Sequence, residues 1–485
     1  MLIAAAGSLA IAFVVVVWSL PRSTLLPTAL AVTVLLPVGR LPVPEALTVL
    51  GPGAFVVLVW TLRRERHGRA RAPVVMIALG VTCLVWTAVS LVLGISLVRS
   101  AGWSVAFGVL VLLPALDRRL APDEARAVLR TWTTLSVVLA VFGVVERLLR
   151  ANPLYGWVWR LGDHPILQYW SDYRITTSLG HPLNNALFFA VGTSLAVGAA
   201  VERGGARPLV AAALSLVGVF LTISRGGLLA VAVGVAVVVL GPVGRRAATD
   251  GAFRRRVAAG TTVGLGLALV ALSPVFQDRW ASSNGMASAR ARDALGPLVW
   301  AVSTHQGHLG SGPGTSNALL ERLGTPTIVE NSWFQLLLSL GLPGVVLVAG
   351  LVVTAVVVGL RGRAVAAAAG LGALATAAAG FNWIESDRPG MLYLGLLLAA
   401  ALAAPVRDGP PPPRYAPADS ARIASGSDES RKSDSRSGSP GSSIASAARR
   451  RANSARSTPR FGSCDHGTGP APRQPAFRRA SSPRW

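Results

Sequence analysis

Long apolar runs recur along residues 1–405 and are separated by short polar or charged stretches. A helix needs about 20 mostly apolar residues to cross a hydrocarbon core about 30 Å thick. Such runs predict spans at 2–20, 23–39, 43–62, 73–95, 101–116, 131–149, 183–200, 208–223, 226–243, 257–273, 333–359, 364–381 and 391–405. The pattern predicts an all-α, polytopic transmembrane helical bundle. Because several runs are short or contain proline, the number of spans that it supports is about 12 to 13.

Arginines are concentrated in the stretches between the runs. They are Arg63, Arg64, Arg66, Arg69, Arg71, Arg118, Arg119, Arg126, Arg130, Arg203, Arg207, Arg245, Arg246, Arg254, Arg255, Arg256, Arg361 and Arg363. If the spans alternate in direction, all of these lie on one side, which the positive-inside rule makes cytoplasmic. The external side then holds segment 150–182, the turn at Ser224, the long loop 274–332 and the turn 382–390. The side of the N-terminus stays open.

The composition changes near residue 406. Residues 406–485 are rich in Pro, Ser and Arg and show no apolar periodicity, so burial cannot offset the entropy of ordering them. This predicts a membrane domain at 1–405 followed by a disordered cytoplasmic tail at 406–485.

The chain is 52% hydrophobic and 14% charged, and its net charge is +24. A soluble domain carries roughly 25% charged residues. The basic residues lie between apolar runs and in the tail and are not expected to form a folded basic face. We therefore expect the membrane, and not nucleic acid, as the partner. The two cysteines, Cys83 and Cys464, cannot form a disulfide framework or a four-ligand metal site. We expect no cofactor and no metal.

Polar residues at membrane depth are costly, so those beside the external span ends are candidates for chemistry. Arg174 offers a planar fork of donors suited to phosphate, although an interfacial arginine that contacts lipid head groups is an alternative. Ser224, Arg225 and the two following glycines occupy a turn so short that Arg225 stays near membrane depth. Paired glycines there allow backbone N–H groups to approach a ligand.

The external loop 274–332 carries Arg290, Arg292 and His308 and then the glycine-rich run 310–314. Loops of this length are usually functional or disordered. Glycines alone are weak evidence of phosphate binding because turns need them equally.

Glu330 and Asn331 immediately precede the span at 333–359. Glu330 is placed to accept a proton from a hydroxyl. A stabilising interaction between its charge and the helix dipole is an equally good account.

In this order and spacing, the clusters resemble the O-antigen ligase and O-antigen polymerase superfamily of bacterial membrane glycosyltransferases. The resemblance covers about residues 130–360. Its motif positions are Arg174, Gly180, His181, Pro182, Ser224, Arg225, Gly226, Gly227, Gly310, Gly312, Pro313, Gly314, Glu330, Asn331, Gly341 and Gly344. The chain departs from the family at two points, with Glu330 where the ligases carry histidine and Leu183 displacing an asparagine after His181–Pro182.

The resemblance implies transfer of a glycan from a polyprenyl-pyrophosphate donor to a hydroxyl of a glycan or lipid acceptor, in cell-surface polysaccharide biosynthesis. Arginines would stabilise the leaving pyrophosphate without a metal, and a base would deprotonate the acceptor. The expected catalytic residues are Glu330, Arg225, Arg174 and His308. The expected donor-binding residues are Arg174, Arg225, Arg290, Arg292, Gly312, Gly314 and Asn331.

Two other interpretations remain. Glu385 and Asp387 form an acidic pair that could hold a divalent cation, although a solvated pair is the better interpretation. A transporter or flippase of lipid-linked intermediates would need no catalytic residues, but the sequence has no evident internal repeat and its charged residues avoid mid-span positions. The sugar, the linkage, the acceptor and the choice between ligation and polymerisation stay open.

Overall fold

The computed structural model describes residues 2–36, 45–63, 73–117, 120–161, 172–241, 250–325, 327–362, 364–386 and 388–403. These residues form helices and no strands. The helices are α1 (Leu2–Ser19), α2 (Arg22–Leu35), α3 (Glu45–Leu62), α4 (Val74–Val92), α5 (Leu97–Phe107), α6 (Leu113–Leu116), α7 (Pro122–Leu149), α8 (Gly156–Leu161), α9 (Pro182–Arg203), α10 (Ala206–Leu221), α11 (Arg225–Leu240), α12 (Asp250–Ala271), α13 (Pro274–Ala281), α14 (Ser283–His305), α15 (Ser316–Arg322), α16 (Ser332–Arg361), α17 (Val365–Ala378), α18 (Trp383–Ser386) and α19 (Arg388–Leu402). A π-helical turn joins α5 to α6.

Each predicted span overlaps one helix, except 101–116, which covers part of α5, the π-helical turn and α6. Within the described ranges, five segments are long and apolar enough to cross a membrane, namely Val74–Val92, Leu97–Leu116, Pro122–Leu149, Pro182–Arg203 and Ser332–Arg361. Shorter apolar helices pack beside them. The prediction of an all-α fold is confirmed, and the long apolar helices indicate a membrane protein. The count of 12 to 13 spans stays a prediction.

Helix α9 is at the centre of the bundle. In its most apolar 18-residue window, 89% of the residues are buried, and it packs against α7, α10, α11 and α17. Small residues allow this close packing: a Cβ atom added at Gly198 would lie 2.4 Å from the Cα atom of Ala366. Helices in lipid are not driven together by the hydrophobic effect, so close backbone approach is the usual basis of their association.

The helices run in alternating directions, so the bundle has two ends. At the end that we call the arginine end, Glu202 accepts a hydrogen bond from the N–H of Ala366 at 2.9 Å. Buried Arg22 lies there 3.9 Å from both Asp117 and Glu124. At the opposite end, the motif end, α7, α10 and α17 finish and α9, α11, α16 and α19 begin. The four motif clusters, which contain in chain order Arg174, Arg225, the glycine-rich run 310–314 and Glu330, all lie at the motif end.

Segment 274–332 is the stretch that the sequence predicts to be one long external loop. Most of it is helical, because α13, α14 and α15 occupy it. Leu295, Val299 and Val302 of α14 pack with residues of α15 and α16 in a second small core. The segment therefore forms an ordered layer over the motif end. The predicted tail at 406–485 lies outside the described residues.

Candidate functional site

A fully buried carboxylate, Glu146 of α7, organises the segment that carries Arg174. Its two oxygens accept five hydrogen bonds from described residues: from the Tyr173 hydroxyl (2.9 Å), the Thr176 N–H (2.8 Å) and hydroxyl (2.7 Å), the Thr177 N–H (2.9 Å) and the Asn152 amide (3.1 Å). Burial and the neighbouring Glu146 charge raise the pKa of Tyr173, so its hydroxyl stays protonated and donates.

Helix α9 holds the same segment from the other side. The side-chain amide of Asn185 donates to the carbonyl of Thr176 at 2.6 Å, and the Thr177 hydroxyl donates to the Asn185 carbonyl oxygen. Gly143 of α7 leaves room for Ile175, since a Cβ atom there would lie 2.7 Å from Ile175 Cδ1. Residues 173–177 are thus fixed between two long helices.

Arg174 extends from this segment to the turn between α10 and α11. The residue is 6% exposed, and its Nε donates to the carbonyl of Thr222 at 2.7 Å. Thr222 lies three residues before Arg225. The structure therefore brings the first two motif clusters together, as the sequence interpretation requires.

Arg225 is the first residue of α11 and is exposed. Ser224 caps this helix by accepting a hydrogen bond from the N–H of Gly227 at 3.2 Å. The N-terminus of a helix carries a partial positive charge, which adds to that of Arg225. A Cβ atom at Gly226 would lie 3.9 Å from the ring of Phe381, which places this turn beside the connection between α17 and α18.

That connection is joined to the fourth cluster through Ser332. The buried Ser332 hydroxyl donates to the carbonyl of Phe381 at 2.5 Å and accepts from the N–H groups of Trp383 and Ile384. Asn331 caps α16, where its Oδ1 accepts from Trp333 N–H at 2.9 Å. The connection between α17 and α18 thus lies beside the turn at Gly226 and is hydrogen-bonded to the start of α16.

Glu330 is exposed and pairs with Arg292 of α14 across 3.4 Å. Both side chains are nearly half exposed, so solvent screens the attraction. Arg290 is also exposed, but side chains two positions apart on a helix do not face each other. Of the two α14 arginines, the structure therefore brings Arg292 to Glu330.

His308 and the glycine run lie against a break in α16. Pro343 has no N–H, so the Ser339 carbonyl loses its helical partner, and Gly341 leaves the helical conformation with φ 69°. The N–H groups of Ser311 and Gly312 supply partners to the carbonyls of Leu338 and Ser339, each at 2.9 Å. In return, the His308 carbonyl accepts from Leu342 N–H at 2.9 Å, and Trp86 Nε1 donates to the Leu340 carbonyl at 2.8 Å.

The packing of the glycine run against neighbouring helices explains why residues 312 and 314 are glycine. Cβ atoms there would lie 2.6 Å from the Cα of Gly94 and 2.8 Å from the Cβ of Trp103. The His308 ring contacts the Ser303 hydroxyl at 3.0 Å and Trp300. Donor binding by these glycines and base catalysis by His308 stay predictions.

Backbone strain is concentrated at the motif end. Among the described residues, four that are not glycine have positive φ: Arg150, Thr177, Ile223 and His308. Arg150 ends α7, and the other three each lie in one of the motif clusters. Such conformations persist only where surrounding contacts enforce them, and they are typical of functional sites.

Three buried residues of this region were not singled out by the sequence: Glu146, Asn185 and Ser332. The expected solvated pair of Glu385 and Asp387 is wrong for Glu385, which is 7% exposed and accepts from the N–H and hydroxyl of Ser316, each at 2.7 Å. Asp387 lies outside the described residues. In the part of the chain that the structure describes, no three His, Cys, Asp or Glu residues are grouped to hold a metal ion.

No protein-family model matches this chain, and no curated protein matches it.

Proposed function

We propose that this protein is a membrane glycan ligase or polymerase of the O-antigen ligase type. It transfers a glycan from a polyprenyl-pyrophosphate donor to a hydroxyl of an acceptor glycan or lipid on the external face of the cell membrane. The carrying observation is the hydrogen bond of Arg174 to Thr222, which joins two arginine motifs 51 positions apart in sequence (225 minus 174).

The arginines supply the electrostatics that the transfer requires. When the glycosidic bond to the donor breaks, negative charge develops on the departing pyrophosphate. Arg225 and the N-terminus of α11 offer positive charge at one place, and Arg174 is fixed beside the preceding turn. Cations held in place before the reaction stabilise such charge more strongly than mobile water does.

Glu330 is the proposed base for the acceptor hydroxyl. Its exposure leaves it accessible to an acceptor arriving from solvent or from the membrane surface, and its partner Arg292 is equally exposed. An exposed ion pair contributes little stability, so an acceptor hydroxyl can displace Arg292 at low cost. The proton of the acceptor then passes to Glu330 as the acceptor oxygen attacks the sugar.

A purified-protein assay tests the proposal. We expect detergent-solubilised protein to form glycosylated acceptor from a polyprenyl-pyrophosphate glycan, and Glu330→Gln to slow it by about 100-fold or more. Glu321→Gln, on the exposed face of α15, is the matched control and should retain activity. Absence of product with wild-type protein would refute the enzyme proposal. Full activity of Glu330→Gln would show that another residue is the base.

A transporter of lipid-linked intermediates is the second candidate, and broken helices favour it. Helix α16 breaks at Gly341 and α3 at Gly51, and discontinuous helices are common in transporters. In α16, however, the carbonyl groups at the break accept hydrogen bonds from the N–H groups of Ser311 and Gly312. The detergent assay separates the two candidates, since transport has no meaning without a closed membrane.

The sidedness of the site is a separate prediction. We expect a topology reporter inserted at Gly324 to be external and one at Gly205 to be cytoplasmic, because the arginines cluster at the Gly205 end. A Cβ atom at either glycine has nothing within 4 Å, so both turns should accept an insertion. Reversed accessibility at both positions would place the site on the cytoplasmic side.

A further inference from the structure

We propose that Glu146 is the positioning residue for Arg174: it holds segment 173–177 in the conformation that presents this arginine at the donor site. The donor part of this inference rests on the proposed function. The positioning part stands on contacts alone.

The geometry makes Glu146 hard to replace. Three donors converge on its Oε1 and two on its Oε2. Glutamine has the same shape but only one accepting atom, so in either orientation its NH₂ group faces at least two donors. A buried donor without an acceptor costs more than the bond contributed, so Glu146→Gln should release the segment.

Arg174 depends on this segment in two ways. The Tyr173 hydroxyl and the Thr176 and Thr177 N–H groups, on both sides of Arg174, are all bound to Glu146. The Arg174 side chain then spans to the carbonyl of Thr222 in the α10–α11 turn. Displacement of residues 173–177 would therefore carry the guanidinium away from the turn that precedes Arg225.

Helix α7 also supplies a matched control. Glu124, near its other end, is buried and accepts hydrogen bonds from Trp60 Nε1 at 3.3 Å and Ala121 N–H at 3.0 Å. Glu124→Gln perturbs a buried carboxylate of the same helix at the arginine end. It should lower protein abundance as Glu146→Gln does, without touching the segment that carries Arg174.

The test combines two measurements on detergent-purified full-length protein. Hydrogen–deuterium exchange of a peptide containing Thr176 and Thr177 should accelerate about tenfold in Glu146→Gln and stay unchanged in Glu124→Gln. Glycan transfer should fall about 100-fold in Glu146→Gln, since a misplacement of about 1 Å can have such an effect. In an Arg174→Ala background, Glu146→Gln should cause almost no further loss, because both changes remove the same interaction.

Unchanged exchange in Glu146→Gln would overturn the inference whatever the kinetics, and so would fully multiplicative losses of transfer in the double variant. Accelerated exchange with coupled losses supports it. If the wild-type protein shows no transfer but exchange accelerates as stated, the enzyme proposal fails while the positioning of the Arg174 segment by Glu146 is supported.

Discussion

Replacing Arg225 with lysine should reduce glycan transfer by about 100- to 1,000-fold, nearly as much as replacing it with alanine. Lysine keeps the charge but loses the planar fork that binds two phosphate oxygens at once. The measurement is product formed per unit of membrane-inserted protein, which separates lost chemistry from lost folding. An arginine that merely anchors the start of α11 at the membrane surface would tolerate lysine, because lysine reaches the interface equally well.

Arg203 is the control for this experiment. It is exposed and ends α9 at the arginine end, away from the motif clusters. Its lysine and alanine variants should both remain active. A fully active Arg225→Lys protein would refute two-oxygen binding, and an active Arg225→Ala protein would exclude Arg225 from the site.

Gly341→Ala should strongly destabilise the motif end of the bundle. A Cβ atom at Gly341 would lie 2.2 Å from the His308 carbonyl oxygen and 2.5 Å from the Leu309 carbonyl carbon. Both obstacles are backbone atoms, and φ is 69°, which disfavours any side chain. Strain and overpacking together should lower the free energy of unfolding by roughly 3 kcal/mol or more.

Gly350→Ala on the same helix provides the comparison. Its added Cβ atom would lie 3.5 Å from the nearest atom, a side-chain methyl of Leu79, which is ordinary contact distance. Alanine favours a helix interior over glycine by about 1 kcal/mol, so this variant should be as stable as wild type or slightly more stable. Thermal unfolding in detergent reports both values. Equal stability of the two variants would show that the break at Gly341 is not enforced by residues 308–309.

Hydropathy located the helices well because backbone polar groups in lipid must be satisfied within a helix. The span predicted at 333–359 is the helix Ser332–Arg361, and that at 183–200 is Pro182–Arg203. Hydropathy could not reveal the helices of 274–332, whose sequence mixes alanine with arginine and aspartate and contains Pro297. Their order comes from a small core shared with α16, which only tertiary packing creates.

The candidate site was partly accessible to the same reasoning. Arg174 and Arg225 stood out because charge near membrane depth is costly, and the structure joins their segments. Glu146 did not stand out, since a Glu–Arg pair at the end of an apolar run is typical of an interface. Its significance comes from donors 6 to 31 positions away in sequence, which no local pattern contains.

The break in α16 has a consequence for biogenesis. The carbonyls of Leu338 and Ser339 find their partners in Ser311 and Gly312, which precede α16 in the chain and are synthesised first. A nascent α16 that left the insertion machinery before these residues docked would carry unpaired carbonyls into lipid. We therefore expect membrane integration of α16 to be coupled to folding of the layer formed by α13, α14 and α15. A defect in that layer should appear as failed insertion and degradation of the nascent chain.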